Sequence, residues 1–129
     1  MISDILAFRA QLAALVQTLA EMVKEGNAIA GADPDSIGFC EQARLVFDSD
    51  LAEINKGLAE KSARPIAHAI LMVHGGVRQF SEHDLSWSRA PYQKLLEELS
   101  KSTNHLIYTL RVGEQLAELQ GELRANAVN

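Results

Sequence analysis

Apolar residues recur at spacings of three and four along the first part of the chain, which is the pattern of an amphipathic helix. The stripe consists of Ile5, Phe8, Leu12, Leu15, Leu19 and Met22. Leu6, Val16 and Val23 widen it, so we expect this helix to contact more than one neighbour. The pattern predicts a helix from about residue 3 to residue 26.

A second helix is predicted over residues 34–62. Asp33 followed by Pro34 is typical of a helix start, because Asp caps the first turn and proline fits the first helical position. The apolar positions fall within an arc of roughly 80° on a helical wheel. They are Cys40, Ala43, Phe47, Leu51, Ile54 and Leu58. Three acids line one flank of that arc: Asp50, Glu53 and Glu60.

Two further helices are predicted, over residues 65–82 and 88–125. The third begins at Pro65, and its stripe is Ile66, Ile70, Val73, Val77 and Phe80. The fourth has Pro91 in its first turn, where proline is tolerated. Its stripe is Tyr92, Leu95, Leu96, Leu99, Thr103, Leu106 and Leu110.

The large apolar residues change face near the end of the fourth helix. Beyond Arg111 the stripe continues with small residues, while the large ones lie on the other side. These are Val112, Leu116, Leu119 and Leu123. One interpretation is a second contact surface, most simply a homodimer interface; the other is a helix that bends at Gly113 or frays.

One-sided helices joined by short connections favour a single domain, residues 1–129. We therefore predict an all-α fold, an antiparallel four-helix bundle with a long C-terminal helix. The composition agrees, since apolar residues make up 47% of the 129 residues and aromatic residues only 5%. Ala and Leu carry most of the apolar content, as in helix-on-helix packing.

Charge and cysteine content limit the expected partners and the expected location of the protein. The net charge of −5 argues against nucleic acid as the main partner. The only cysteine, Cys40, excludes an intramolecular disulfide, so a reducing cytoplasm is the expected location. We expect no export signal, and no membrane span, since the longest uncharged run has 13 residues.

The acidic residues are concentrated in one part of the chain. Residues 33–60 hold seven acids and two bases, whereas residues 61–94 hold five bases and two acids. The acidic flank of Asp50, Glu53 and Glu60 is either a solvated helix face or a surface that attracts a basic partner. Trp87 is either an anchor for that partner or a plug over the end of the bundle.

Metal and nucleophilic chemistry are not favoured by the sequence. None of the four His lies three or four residues from another, as two ligands on one helical face would. Cys40 lies in an apolar stripe, where a lone cysteine is usually a small buried hydrophobe. We expect neither a metal nor another cofactor.

One short motif points to a reaction. Arg78 and His83 form Arg-x-x-x-x-His at the end of the third helix, which resembles the motif of HEPN ribonucleases. The resemblance implies a helical RNA-cleaving toxin that works as a dimer. In it, the guanidinium of Arg78 would hold a phosphate while the imidazole of His83 transfers a proton.

A longer stretch, residues 51–90, resembles immunity proteins of type VI secretion systems that neutralise NAD-degrading toxins. The resembling residues are Leu51, Ile54 and Leu58 in one helix, then Val77, Arg78, Gln79 and Phe80, followed by Glu82 and Asp84. The resemblance implies a cytoplasmic helical bundle that binds a toxin encoded by the adjacent gene and has no catalytic activity.

The sequence therefore favours a non-enzymatic protein-binding module, best interpreted as an immunity or antitoxin-type inhibitor. A HEPN-like ribonuclease and a small secretion chaperone or adaptor are the alternatives. We expect self-association through the last helix and no interaction with membranes.

Overall fold

The computed structural model describes residues 1–28, 31, 33–81, 90–110 and 113–126. These residues form five helices and no strand, which confirms the all-α prediction for this part of the chain. The helices are α1 (Ile2–Ala28), α2 (Pro34–Glu60), α3 (Ala63–Ser81), α4 (Ala90–Leu110) and α5 (Gly113–Ala125).

The last part of the chain differs from the prediction. The sequence predicts one long helix over residues 88–125, whereas the structure has two helices there, α4 and a shorter α5 of 13 residues. The long C-terminal helix is therefore not found. Gly113 accounts for the division into two helices, because glycine is a poor helix former and α5 begins at this residue.

The start of α2 follows the sequence signal. Asp33 is in an extended conformation and its carboxylate accepts a hydrogen bond from the backbone N–H of Asp35 at 3.2 Å. Ser36 donates its hydroxyl to the other carboxylate oxygen of Asp33 at 3.0 Å. Pro34 occupies the first helical position, where no intrahelical N–H bond is lost.

A tight turn joins α2 to α3. Lys61 adopts a left-handed conformation with φ of 55°. The N–H of Ser62 then donates to the carbonyl oxygen of Gly57 at 2.9 Å, and the N–H of Lys61 donates to that of Leu58 at 3.4 Å. This is a Schellman-type helix end. It brings α3 back against α2 within two residues.

The first four helices pack in a ring, each against two others: α1 on α2 and α4, α2 on α3, and α3 on α4. The six stripe residues of α1 are all buried in the shared core. Between α2 and α3, the ring of Phe80 packs edge-on against Phe39 and Phe47, with centroid distances of 4.9 Å and 5.4 Å. Gly76 allows Phe47 to lie against the backbone of α3.

The shorter helix, α5, packs on this ring through contacts with α1, α3 and α4. Leu119 and Leu123 are fully buried, and Leu116 is partly buried against the core. The change of apolar face thus has a reason inside the chain, because α5 is a separate helix that packs on α1, α3 and α4 through its own apolar residues. Val112 lies outside the described residues. Because Leu119 and Leu123 are buried within the chain, they are not exposed for the predicted self-association.

One helix among the described residues, α1, is long and apolar enough to cross a membrane. The core helix of a soluble protein and a signal sequence have the same length and composition, so this property assigns no location. In the structure, seven residues of α1 are buried against the other helices.

Candidate functional site

The three acids of the predicted partner-binding flank lie in three different environments. Asp50 is only 8% exposed. Glu53 is half-buried, and its Oε2 lies 2.7 Å from Nδ1 of His68 on α3. Glu60 is exposed at the end of α2. Only Glu60 is therefore a freely accessible surface acid, and Asp50 belongs to the α2–α3 contact.

Burial determines the electrostatics of Asp50. Loss of solvent, together with repulsion from Glu53, raises the pKa of its carboxyl group to about 6, while His68 acts in the opposite direction. The Oδ2 atom finds no hydrogen-bond donor among the described residues. A buried carboxyl group without such a donor favours the protonated form, because a buried charge is costly.

The outer face of α2 combines apolar and acidic side chains. Leu45 and Val46 are 54% and 37% exposed. Asp48 lies one turn after Leu45 on the same side, and Glu60 lies further along the exposed surface. Two bases of the same helix lie near them: Lys56, and Arg44, which pairs with Glu41 and interacts with Asp48. We call this surface, defined by Leu45, Asp48 and Glu60, the α2 outer face.

A second surface is the groove between α3 and α4, and its first half is polar. A cavity of about 560 Å³ opens there. It is lined by His74, Val77, Arg78, Gln93, Leu96, Glu97 and Ser100. Both charged residues of the lining, Arg78 and Glu97, are exposed.

The imidazole of His74 is held in place at this cavity. Its Nδ1 lies 3.3 Å from Oγ1 of Thr103, and Thr103 donates its hydroxyl to the carbonyl oxygen of Leu99 at 2.9 Å. Because the single hydroxyl hydrogen is used in this way, Nδ1 of His74 is the donor to Thr103. In the neutral ring, Nε2 is then left as an acceptor.

The other half of the groove is apolar. A cavity of about 260 Å³ is lined by Ala67, Ile70, Leu71, Ile107 and Leu110. Leu71 is 56% exposed. We call the two cavities together the α3/α4 groove, with a polar half and an apolar half.

Of the three residues predicted to act near the end of α3, the structure describes one. Arg78 lies in the polar half of the groove, whereas His83 and Trp87 lie outside the described residues. The imidazole that the structure brings to the same cavity is His74, one turn before Arg78. Sequence reasoning missed this pair and Glu97. The four-residue spacing of His74 and Arg78 was the available signal.

The thiol of Cys40 is a core group. It is fully buried, and burial raises its pKa to about 11. A thiol must ionise to act as a nucleophile, so this cysteine is inert in the folded protein. In the described ranges, no group of three or more His, Cys, Asp or Glu side chains could hold a metal ion.

Comparison with known proteins gives no match to a family model, to a curated protein or to a solved structure.

Proposed function

We propose that this protein is a non-enzymatic protein-binding module, and specifically an immunity or antitoxin-type inhibitor that binds a toxin with a basic surface. The observation that carries the proposal is the α2 outer face. Leu45 is a large apolar side chain, 54% exposed, and Asp48 lies one turn after it on the same helix. Val46 beside it is 37% exposed, and an apolar centre with a polar rim is the common arrangement of a protein-binding surface.

Charge supports a basic partner. The chain has a net charge of −5, and residues 33–60 hold seven acids against two bases. Asp48 and Glu60 are exposed on the α2 outer face. Acids at the rim of an interface accelerate the encounter with a basic surface and contribute less to the stability of the complex.

The scaffold proposed for this function is an antiparallel arrangement of α1 to α4, with α5 packed on it. Such a ring buries one side of each helix and leaves α2 supported by α1 and α3. The proposal places the protein in the cytoplasm and requires no cofactor. Its partner would be the product of the adjacent gene.

The test measures binding to that product and suppression of its toxicity on co-expression. Leu45→Glu should weaken binding at least about tenfold, because it places a charge where an apolar contact forms. Asp48→Lys should slow association, with an effect that fades at high salt. The matched control is Glu118→Lys, an exposed acid on α5, which should change neither. A neighbouring product that is not toxic and does not bind would overturn the proposal.

A HEPN-like ribonuclease is the second candidate, and one observation favours it. Arg78 lines a polar cavity together with His74, and a guanidinium beside an imidazole is able to bind a phosphate and move a proton. Under this alternative, expression of the protein alone should arrest bacterial growth. His83→Ala or His74→Ala should relieve the arrest. Harmless expression, with no RNA cleavage by purified protein, would exclude it.

A further inference from the structure

The α3/α4 groove is polarised along its length. Its apolar half lies where Leu71 on α3 faces the end of α4, and its polar half lies where Arg78 faces the first part of α4. Leu71 and Arg78 are seven residues apart, about 10 Å along the helix. A partner that fills the whole groove must therefore be apolar at one end and charged at the other.

The groove also carries opposite charges across its width. Arg78 projects from α3 and Glu97 from α4, and both line the polar cavity, so they lie at the same height in the groove. The apolar half has the equivalent arrangement, with Leu71 on α3 and Ile107 on α4. At each height, a residue on α3 is therefore matched by a residue on α4: by opposite charge in the polar half and by an apolar side chain in the apolar half.

We propose that the partner of this groove is a second copy of the same chain, related by a two-fold axis that runs along the groove. This rotation keeps the direction of the helices and places α3 of each copy opposite α4 of the other. Arg78 then faces Glu97 of the second copy, and this contact occurs twice, as in any two-fold interface. Leu71 meets the apolar half of the second copy.

The alternative two-fold arrangements are less favourable. With the axis perpendicular to the groove, the polar half of one copy would cover the apolar half of the other, and Arg78 would face Leu71. Burying a charge against an apolar surface is costly. A guanidinium has five N–H donors, so Arg78 is able to bind Glu97 of the second copy without giving up a contact in its own chain.

The small size of the groove indicates a weak, reversible dimer. From Gln93 to Leu110 the groove extends about 25 Å along α4. Two helices of this length offer less than the roughly 800 Å² that each partner contributes to a standard interface. We therefore expect a reversible dimer with a dissociation constant on the order of 10 μM.

Sedimentation equilibrium of the full chain, from about 5 μM to about 500 μM, tests the dimer at this affinity. The wild type should form dimers. Arg78→Glu and Glu97→Arg should each raise the dissociation constant at least about tenfold, because each places like charges opposite one another. The double variant Arg78→Glu/Glu97→Arg should return it to within about threefold of the wild type, since the pair is restored with its charges exchanged.

Two controls separate a specific contact from a general effect of charge. Lys24→Glu, on the exposed surface of α1, changes the net charge as much as Arg78→Glu and should leave the dimer intact. In the apolar half, Leu71→Glu should prevent dimer formation. Its matched control is Leu45→Glu, an exposed leucine on α2, which should not. Circular dichroism verifies that each variant remains helical.

Several results would overturn the proposal. A wild-type monomer at all concentrations excludes the dimer, and if Leu71→Glu then weakens binding of the adjacent gene product, the groove belongs to that partner. A dimer that tolerates Leu71→Glu and both charge reversals has its interface elsewhere. Single reversals without rescue by the double variant exclude the arrangement along the groove. The sedimentation results do not depend on binding at the α2 outer face, which is tested by Leu45→Glu and Asp48→Lys, so the two proposals fail separately.

Discussion

Gly57 on α2 and Ile66 on α3 lie so close together that there is no room for a side chain between them. A Cβ atom at Gly57 would be 2.6 Å from Cγ1 of Ile66 and 2.9 Å from the carbonyl oxygen of Ser62. The second of these atoms belongs to the backbone of the turn and cannot move alone. The close approach of α2 and α3 therefore depends on glycine at this position.

Gly57→Ala should destabilise the protein by about 1–3 kcal/mol, the usual cost of overpacking, despite the better helix propensity of alanine. Urea unfolding followed by circular dichroism measures the change. Gly75→Ala is the matched control, because Gly75 lies in the middle of α3 and nothing approaches its Cβ position within 4 Å. It should stabilise the protein by up to about 1 kcal/mol. Equal effects of the two changes would contradict this interpretation.

The sequence predicts helices and core well here because the information is local and repeated. All six stripe residues of α1 and five of the six of α2 are buried, and Leu51 is partly buried. The start of α2 is also predictable from the sequence, because Asp33 and Pro34 act within one turn. The predicted end of α2 and the predicted start of α3 both lie two residues beyond the observed ones, because the left-handed residue that ends α2 is Lys61 rather than a glycine.

Features that depend on which helices become neighbours were harder to predict. The pattern of Leu119 and Leu123 shows that a second apolar face exists, but it does not show that other helices of the same chain cover it. Asp50 lies on the flank of the α2 stripe, and its burial follows from the position of α3. The α3/α4 groove requires residues from two helices, which no single-helix pattern identifies.

Asp50 should make stability depend on pH. The pKa of its carboxyl group is about 6, above the ordinary value of 3.8, so the folded state binds the proton more tightly than the unfolded chain. The free energy of unfolding should therefore decrease as the pH rises from about 4 to about 6, by at most about 3 kcal/mol. Below this window the stabilisation is fully present.

Replacement of the titrating group tests this assignment. Asp50→Asn keeps the size of the side chain but cannot ionise, so above pH 6 it should be more stable than the wild type by about 1–3 kcal/mol. Its unfolding free energy should also vary less between about pH 4 and pH 6. Asp48→Asn, an exposed acid on the same helix, should leave the pH dependence unchanged. An unchanged pH profile in Asp50→Asn would exclude this residue as its source.

Cys40 should react with thiol reagents only when the protein unfolds. The side chain is fully buried and its pKa is about 11, so little thiolate is present or accessible at pH 8. We expect modification by an aromatic disulfide to be at least about 1,000-fold slower than in 8 M urea, because it requires opening of the core. As a control, Ser49→Cys in a Cys40→Ala background exposes a thiol on α2 and should react rapidly while folded. Rapid reaction of Cys40 in the native protein would show that α2 opens easily.

The contact of α5 with the rest of the chain has a polar part and an apolar part. Gln120 donates its side-chain N–H to the carbonyl oxygen of Lys61 at 2.6 Å, and its Oε1 accepts the N–H of Ala63 at 2.8 Å. It thus satisfies backbone groups at the end of α2 and the start of α3 that have no partner within their helices. Leu123, one turn later, is fully buried.

Leu123→Ala should lower the free energy of unfolding by about 2–5 kcal/mol, because it leaves a cavity in the core of one chain. Gln120→Ala should cost about 1–3 kcal/mol through the lost hydrogen bonds, and Arg124→Ala, exposed on α5, should cost almost nothing. Chemical unfolding at several protein concentrations decides between burial within the chain and a dimer interface. If α5 packs on its own chain, the difference between wild type and Leu123→Ala stays constant with concentration. If Leu123 lies in a dimer interface, the difference grows with concentration, since association stabilises only the wild type.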